Sequence, residues 1–204
     1  MVYKTSDVIN VETLLIWGAS FKKVSIDEII FHEGAESKYY YQLVSGSVRW
    51  VNINDKGIEF LQIIISPGES FGELPLFDGE PFAATAIANE DSVIVTLRRP
   101  LFLHLLKEHF EIYLSLNKIL TERLRFKLFI LKEIAYHSPE NSISELLHYF
   151  KLNNKNICAK SNRIKLSRQQ IADMTGFRVE TVIRSIKKLE FNGKLAVEKG
   201  EIYC

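Results

Sequence analysis

Residues 167–184 read SRQQIADMTGFRVETVIR, and they form the most informative stretch of the chain. Ser167 and Gln170 have the S-x-x-Q spacing of a capping box, in which two side chains cap the start of a helix. An apolar face follows, and Gly176 then provides a turn. A second apolar-periodic run ends near Asn192-Gly193, where a glycine can terminate a helix. Two short helices joined by a tight glycine turn predict a helix-turn-helix.

The residues around this motif predict a wing and a polar surface. Residues 194–204, with Lys199-Gly200 at their middle, are typical of a small β hairpin. The solvent face of the second helix carries side chains that can bind DNA. Its arginines can hydrogen-bond to the edge of guanine, its glutamate can accept a hydrogen bond from the cytosine amino group, and its lysines can contact phosphates. This face carries Arg178, Glu180, Thr181, Arg184, Lys187 and Lys188. The pattern favours a double-stranded DNA partner over an ordinary solvated helix.

The charge distribution agrees with such a partner, although the whole chain of 204 residues has a formal net charge of only +1. Residues 1–108 hold 9 basic and 15 acidic residues, a net charge of −6. Residues 109–204 hold 17 basic and 10 acidic residues, a net charge of +7. Residues 151–204 alone, with 12 basic and 5 acidic residues, also reach +7. The positive charge therefore lies where phosphate attraction requires it.

Regular glycine spacing organises the amino-terminal half. Glycines recur at intervals of 12, 11, 11 and 11 residues, at Gly34, Gly46, Gly57, Gly68 and Gly79. The runs between and after these glycines are rich in aromatic and β-branched residues, at 39–44, 47–53, 59–65 and 84–97. Short strands at even spacing predict a small all-β sandwich or barrel over about residues 20–98.

The middle of the chain predicts a long helix, which begins near Pro100 and ends before Ser138-Pro139. Its apolar residues follow a heptad seam of the type that pairs helices. The seam consists of Leu106, Phe110, Tyr113, Asn117, Leu120, Leu124 and Leu131. Packing on the β domain explains one apolar stripe, but a surface this broad favours a homodimer, with Asn117 fixing the register. Ser142 and Glu145 predict a capping box for the next helix, and residues 151–163 a loop.

Two of these segments resemble one known family. Residues 167–184 resemble the helix-turn-helix of the cyclic AMP receptor protein and fumarate-nitrate regulator family, CRP/FNR. Residues 71–77, FGELPLF, are similar to the phosphate-binding cassette of that family. The resemblance implies an α+β fold with an amino-terminal β-roll at 1–108, like the double-stranded β-helix of cyclic-nucleotide-binding domains. A dimerisation helix at 109–137 and a winged helix-turn-helix at 138–204 would complete a homodimeric, sequence-specific transcription regulator.

The resemblance also assigns DNA contacts. It implies that Glu180 and Arg184 read bases and that Arg168 and Thr181 contact phosphates. Ile183 stands where the fumarate-nitrate branch of the family often has a small residue, and it is expected to touch a thymine methyl group. Arg178 stands where a serine or threonine cap is usual, so either the cap is weaker or the arginine reaches a phosphate. The Val179-Glu180-Thr181 string resembles the fumarate-nitrate branch and implies a half-site of the TTGA type.

The expected effector pocket comprises Phe71, Gly72, Glu73, Leu74, Phe82 and Ala83. In the cyclic-nucleotide binders of the family, Arg-Ser/Thr-Ala follows the cassette, and its arginine pairs with the cyclic phosphate. Here Phe82-Ala83-Ala84 takes that place, so the charge-assisted partner of the phosphate is lost. We therefore predict that cyclic AMP and cyclic GMP do not bind tightly. Two roles for the β-roll stay open. It binds a different small-molecule effector of unknown identity, or it is purely structural. An apolar ligand would lie near Phe71, Phe77 and Phe82.

Other functions find less support in the sequence. Cys158 and Cys204 form no disulfide framework or metal motif, and no cysteine cluster precedes them for an iron–sulfur centre. The five histidines have no metal-binding spacing, so we assign no metal and predict no cofactor. Haem ligation by His32, His104 or His109 stays an open alternative. No apolar run is long enough for a membrane span, and the polar start, with Lys4 and Asp7, is unlike a signal peptide, so a cytoplasmic protein is expected.

Two other classes of protein are alternatives to the regulator. One is a small-molecule-binding β-roll whose helix-turn-helix serves as a protein-interaction surface. The other is a cupin-like enzyme, which is disfavoured because clustered metal-binding histidines are missing, and we predict that the chain is not an enzyme. A regulator that activates transcription would also contact RNA polymerase, and no motif marks that surface.

Overall fold

A computed structural model describes residues 7–204 of the chain. The first six residues of the expected β domain, Lys4 among them, lie outside the described residues. The chain divides into two compact units between Leu120 and Thr121. The boundaries at 108 and 137, drawn from the sequence, stay predictions. No helix within residues 7–204 has the length and apolar character needed to cross a membrane.

The first unit contains the predicted all-β domain. The elements of this unit up to residue 108 are α1 (Val11–Ile16), β1 (Ser20–Val24), β2 (Ile29–Phe31), β3 (Tyr39–Ser45), β4 (Val48–Ile53), β5 (Glu59–Ile65), β6 (Ser70–Phe71), α2 (Leu74–Asp78), β7 (Thr85–Ala88), β8 (Ser92–Arg98) and α3 (Arg99–Glu108). Its strands form two antiparallel four-stranded sheets, in the orders β1-β8-β3-β6 and β2-β7-β4-β5. The predicted run 84–97 is two strands, because residues 89–91 turn the chain back between β7 and β8.

Glycine turns make this arrangement possible. All five regularly spaced glycines have positive φ angles. Gly46, between β3 and β4, illustrates the reason, because a Cβ atom there would overlap Ser92. Only glycine fits at such a position without moving the neighbouring strand.

Two apolar cores support the first unit. The residues enclosed between the two sheets are Val24, Phe31, Leu43, Val48, Trp50, Ile65, Phe71, Phe82, Ala84, Ala86, Ala88 and Ile94. The second core joins helices to the β1-β8-β3-β6 sheet and contains Ile9, Leu14, Tyr40, Leu76, Val95, Leu97, Phe102, Leu105, Leu106 and Leu116. Burial of these side chains is the main favourable contribution to folding of the unit.

The predicted long helix is divided at His109, which has non-helical φ and ψ angles of −127° and 78°. Helix α3 ends at Glu108, and α4 (Phe110–Tyr136) follows. Leu106, the first residue of the predicted seam, is 7% exposed and belongs to the second core. The prediction that Leu106 belongs to the seam is therefore wrong. The heptad spacing that linked it to Phe110 crosses the break at His109.

The second unit contains the carboxy-terminal helices and the hairpin. They are α5 (Pro139–Asn153), α6 (Arg168–Thr175), α7 (Val179–Phe191), β9 (Ala196–Glu198) and β10 (Glu201–Tyr203). The loop predicted from residue 151 starts only after Asn153, and Asn154 ends α5 in the left-handed conformation, with φ 51°.

The capping box predicted at Ser142 and Glu145 is wrong. Ser138 caps α5 instead, accepting a hydrogen bond from the Asn141 amide, with Pro139 in the first turn. Proline has no amide hydrogen to satisfy and its φ angle is preset for a helix start, so Ser138-Pro139 is the better start signal. Ser142 lies inside the helix, and its hydroxyl donates to the carbonyls of Glu133 (2.8 Å) and Ser138 (3.1 Å).

Candidate nucleic-acid interface and effector pocket

Helix α6 begins with the predicted capping box. The Gln170 amide donates to Ser167 Oγ at 3.1 Å, and the Ser167 amide donates to Gln170 Oε1 at 2.9 Å. The helix ends at Gly176, which is left-handed with φ 72° and whose amide donates to Ala172. The two ends of α6 are therefore fixed by local hydrogen bonds, and the chain turns at once into α7.

Helix α7 is strongly amphipathic. Val182, Ser185, Ile186 and Leu189 are buried. The opposite face carries four of the predicted DNA-contacting residues, all exposed: Glu180, Arg184, Lys187 and Lys188. Thr181 and Ile183 are half-buried at the edges of that face, and Arg184 Nη2 donates to Thr181 Oγ1 at 3.4 Å. The helix thus presents charged groups on one side while its other side is held in the core.

Arg178 has the position that the sequence indicated, immediately before α7. It is the N-cap residue, it is exposed, and its side chain makes no capping hydrogen bond. The amides of the first turn of α7 lack the usual side-chain acceptor, which is consistent with the weaker cap expected from an arginine.

Two of the predicted phosphate contacts have protein partners that the sequence did not reveal. Arg168 Nη1 donates to the carbonyl of Gly200 at 2.6 Å. Lys188 Nζ lies 3.5 Å from Glu140 Oε2, at the start of α5. These contacts join residues 32 and 48 positions apart, so no local sequence signal could have identified them.

The wing is a two-stranded hairpin formed by β9 and β10. Lys199 and Gly200 connect the strands with positive φ angles of 49° and 85°. Two such residues form the tight turn that matches the twist of a hairpin. The prediction of a β hairpin over residues 194–204 is confirmed.

The expected effector pocket is filled by aromatic rings. Phe31 and Phe82 stack at a centroid distance of 3.8 Å and an angle of 9°. Phe71 and Tyr41 complete the cluster, at 6.0 Å and 5.3 Å from Phe31. A Cβ atom on Gly72 would lie 2.6 Å from Phe31 and 3.0 Å from Phe82. The rings therefore pack directly against the cassette backbone.

The predicted pocket residues are not all brought together. Phe71, Gly72, Glu73 and Phe82 are buried, whereas Leu74 and Ala83 are exposed. The carbonyl of Ala83 accepts a hydrogen bond from Asn52 Nδ2 at 2.8 Å. Phe77 lies elsewhere, near Phe102 (6.1 Å) and Tyr113 (6.4 Å). Sequence reasoning missed Phe31 and Tyr41, which come from strands far from the cassette in sequence.

The predicted seam residues lie along α4. Phe110, Leu124 and Leu131 are 63%, 61% and 65% exposed. Tyr113 is exposed, while Asn117 and Leu120 are half-buried. Asn117 Nδ2 donates to the Tyr113 carbonyl at 3.0 Å. Leu114 and Leu128 are also exposed and widen the apolar surface of the helix.

Lys127, Cys158 and Cys204 are among the titratable groups whose pKa values are shifted. Burial lowers the pKa of Lys127, on α4, to about 8. Hydrogen bonds from the Ser161 side chain and from the Ser161 and Lys160 amides lower the pKa of Cys158 to about 7, whereas burial raises that of Cys204. Within residues 7–204, no group of three or more His, Cys, Asp or Glu side chains is placed to hold a metal ion.

Comparison with known proteins agrees with this architecture. A family model of the cyclic nucleotide-binding domain matches residues 21–109. The chain is 28% identical to the cAMP-activated global transcriptional regulator CRP of Pasteurella multocida, over 79% of this chain and 78% of that one. It is 27% identical to the cyclic AMP receptor protein of Thermus thermophilus, over 85% and 78% of the two chains.

Solved structures share the fold over most of the chain. A CooA mutant from Carboxydothermus hydrogenoformans has a TM-score of 0.79 at 19% identity, covering 94% of this chain and 85% of that one. CLP of Xanthomonas campestris, a c-di-GMP responsive global regulator, has a TM-score of 0.76 at 18% identity, covering 94% and 96%. At such identities the likeness shows the fold alone.

A third curated relative matches only locally. Lysophospholipase NTE1 of Chaetomium globosum is 30% identical over 58% of this chain, and the chain spans 8% of the length of that enzyme. By contrast, the matches to the transcriptional regulator CRP and to the cyclic AMP receptor protein extend over most of both chains. The similarity to CRP that the resemblance in the sequence predicted is thus found over most of the chain, together with a cyclic nucleotide-binding domain at residues 21–109.

Proposed function

We propose that this chain is a homodimeric, sequence-specific DNA-binding regulator that reads an inverted repeat with α7 and acts without cyclic AMP or cyclic GMP. The observation that carries the proposal is the division of α7 into a buried face and an exposed face with Glu180, Arg184 and Lys187. A capped α6 and the left-handed Gly176 precede it, so that local hydrogen bonds fix both ends of the helix before α7. The second helix of such a motif is the one that enters the major groove.

In this proposal base recognition comes from three side chains of α7. Arg184 donates two hydrogen bonds to O6 and N7 of guanine, and Glu180 accepts one from the amino group of cytosine. Ile183 contacts the methyl group of thymine. Their positions on the first two turns of α7 fit this role, since the amino-terminal residues of a recognition helix contact base edges.

Phosphate contacts in the proposal come from Arg168, Thr181, Arg178, Lys187 and Lys188. Exposure of Arg178 and Lys187 and the net charge of +7 over residues 151–204 support this assignment. Lys188 would have to exchange Glu140 for a phosphate, so we assign it a smaller share of the affinity than Lys187. Such contacts orient the protein on the duplex but carry no base information.

Dimerisation in the proposal uses the seam of α4. Support comes from the exposed Phe110, Leu124 and Leu131, because apolar side chains at heptad positions lose contact with water when two helices pair. Asn117 would fix the register of the pair. Two recognition helices related by the twofold axis would then enter successive major grooves about 34 Å apart.

Independence from cyclic nucleotides is supported by the interior of the β-roll. Phe82, which is 3% exposed, stacks on Phe31 in the region where we expected an effector. A nucleotide there would need to displace this stack, and Phe82 offers no positive charge to a phosphate. We therefore expect neither cyclic nucleotide to bind at micromolar concentration, as calorimetry would measure.

The test of the proposal is selection of bound sequences from random duplex DNA, with and without cyclic AMP. Enrichment of one inverted repeat, equally in both arms, is the expected result. Arg184→Ala should lose this enrichment, whereas Leu152→Ala, an exposed control on α5, should keep it. That pair of results would show that α7 recognises the selected sequence. Failure of the wild-type protein to enrich any sequence would overturn the proposal and favour a protein-interaction surface. Any contact with RNA polymerase would follow only for an activator.

A further inference from the structure

The wing is too small to be ordered by its own strands. Strands β9 and β10 have three residues each, and Ile202 is the one buried side chain in them. An isolated two-stranded hairpin is marginally stable at best in water. Contacts with the rest of the second unit must therefore hold it in place.

Strand β10 is fastened by the chain segment that precedes α6. The Ile164 amide donates to the Ile202 carbonyl at 2.8 Å, and the Cys204 amide to the Asn162 carbonyl at 3.1 Å. Arg163 Nη1 also lies 3.1 Å from Glu201 Oε2. These contacts hold the strand up to the turn, but they do not reach Lys199 and Gly200.

The turn of the wing is contacted by Arg168. Its Nη1 donates to the Gly200 carbonyl at 2.6 Å, and the donor of this bond is charged. Arg168 is the first residue of α6, directly after the capping residue Ser167. The bond therefore joins the turn of the wing to the capped end of a helix.

We propose that Arg168 is a positioning residue that holds the wing tip against the start of α6, and so brings Lys199 to the DNA in an ordered state. The inference rests on the proposed function and adds a role to the phosphate contact expected of Arg168. A guanidinium has five N–H donors, so Arg168 can bond Gly200 and still bind a phosphate. Ordering the tip before binding reduces the entropy that the wing loses on the duplex.

Hydrogen exchange in the DNA-free protein tests the contact directly. Arg168→Ala should raise the exchange rates of the amides of residues 196–203 by about tenfold or more, the usual effect of losing a charge-assisted bond. Arg178→Ala removes the same charge from an exposed position before α7 and should leave these rates within about twofold. Unchanged wing exchange in Arg168→Ala would overturn the inference, whether or not the protein binds DNA.

A double-mutant cycle on DNA tests the functional part. Lys199→Asn removes the charge while keeping an Asn-Gly turn, which suits the positive φ angle. If Arg168 acts through the tip, the loss of affinity in Arg168→Ala with Lys199→Asn should be several-fold smaller than the product of the two single losses. Arg168→Lys should restore less than half of the lost affinity, because a lysine lacks the fixed fork. If the affinity losses of the two single variants multiply in the double variant, and Arg168→Lys restores the full affinity, Arg168 is only a phosphate contact. That result would overturn the inference.

The two experiments separate the inference from the proposed function. If the wild-type protein binds no DNA sequence, the proposed function fails, and the exchange rates of the wing still decide whether Arg168 holds it. Near-UV circular dichroism of each variant shows whether the core is intact, as expected for substitutions at the surface of the unit.

Discussion

The rings of Phe31 and Phe82 lie parallel, with centroids 3.8 Å apart, inside the β-roll. Phe31 ends β2, while Phe82 precedes β7, and β2 and β7 are neighbours in one sheet. The pair closes the space beside Gly72, where a Cβ atom would overlap Phe31. Two hydrophobic rings thus lie directly against the backbone of residues 71–77, the segment that resembles a phosphate-binding cassette.

Phe82→Ala should lower the free energy of unfolding of the β-roll by about 3–5 kcal/mol, the usual result of removing a buried phenyl ring. Trp50 lies in the same core and its fluorescence reports unfolding there, so the measurement is best made in a Trp17→Phe background. Phe21→Ala is the matched control, because Phe21 is 52% exposed and should cost less than about 1 kcal/mol. Equal losses in the two variants would contradict the assignment of Phe82 to the core.

Arg184→Ala and Lys187→Ala should weaken DNA binding in different ways. Loss of Arg184 should cost about 1–3 kcal/mol per half-site on the selected sequence and relax the choice of base there. Loss of Lys187 should weaken binding to all sequences alike and reduce the salt slope by about 1. Fluorescence anisotropy on selected and random duplexes at several salt concentrations measures both effects. Arg184→Ala with equal losses on the two duplexes would contradict its role as a base reader.

Leu124→Asp should prevent formation of the proposed dimer. Leu124 is 61% exposed on α4, and an aspartate at a heptad position would bring two charges into an apolar seam. Leu152→Asp on α5 is the control, since Leu152 is 68% exposed and lies outside the seam. Sedimentation velocity should give a monomer for the first variant and a dimer for the wild type and the control. A dimeric Leu124→Asp variant would show that pairing uses another surface.

Local signals in the sequence were sufficient for several elements. The strand predicted at 59–65 is β5, and the predicted cap and turn of α6 are present at Ser167 and Gly176. In these cases the residues that determine the structure are a few positions apart. A capping box needs only residues three apart, and a turn needs only a residue that tolerates a positive φ angle.

Features that depend on distant residues could not be predicted. Phe31 and Tyr41 join Phe82 only because β-strand pairing brings them together, so the sequence indicated Phe82 in place of the expected arginine but not the Phe31 ring that stacks on it. The contact of Arg168 with Gly200 likewise depends on how the wing folds back. The start of α5 is a different case, because its signal is local: Ser142 matched a capping box, yet Ser138 followed by Pro139 is the stronger start, and Ser142 lies inside the helix.

Lys127 should make stability depend on pH. Burial lowers its pKa from the ordinary 10.5 to about 8 in the folded chain, so between these values the unfolded chain binds more protons than the folded one. Stability must therefore rise with pH over this range, because the cost of a buried charge is full below pH 8 and is relieved as pH approaches 10.5. In urea unfolding, Lys127→Met should be more stable than the wild type below pH 8, and the difference should narrow toward pH 10.5. A difference that is constant with pH would contradict the shift.

Cys158 should be the more reactive of the two thiols. Hydrogen bonds from the Ser161 side chain and from the Ser161 and Lys160 amides stabilise its thiolate and lower its pKa to about 7, whereas burial raises the pKa of Cys204 above its ordinary 9. Since the thiolate is the nucleophile, alkylation of a Cys204→Ser variant by iodoacetamide should follow an inflection near pH 7. Ser161→Ala, in the same background, should move the inflection toward pH 9, because the Ser161 hydroxyl is the largest cause of the shift. An inflection that ignores Ser161 would show that the hydroxyl does not stabilise the thiolate.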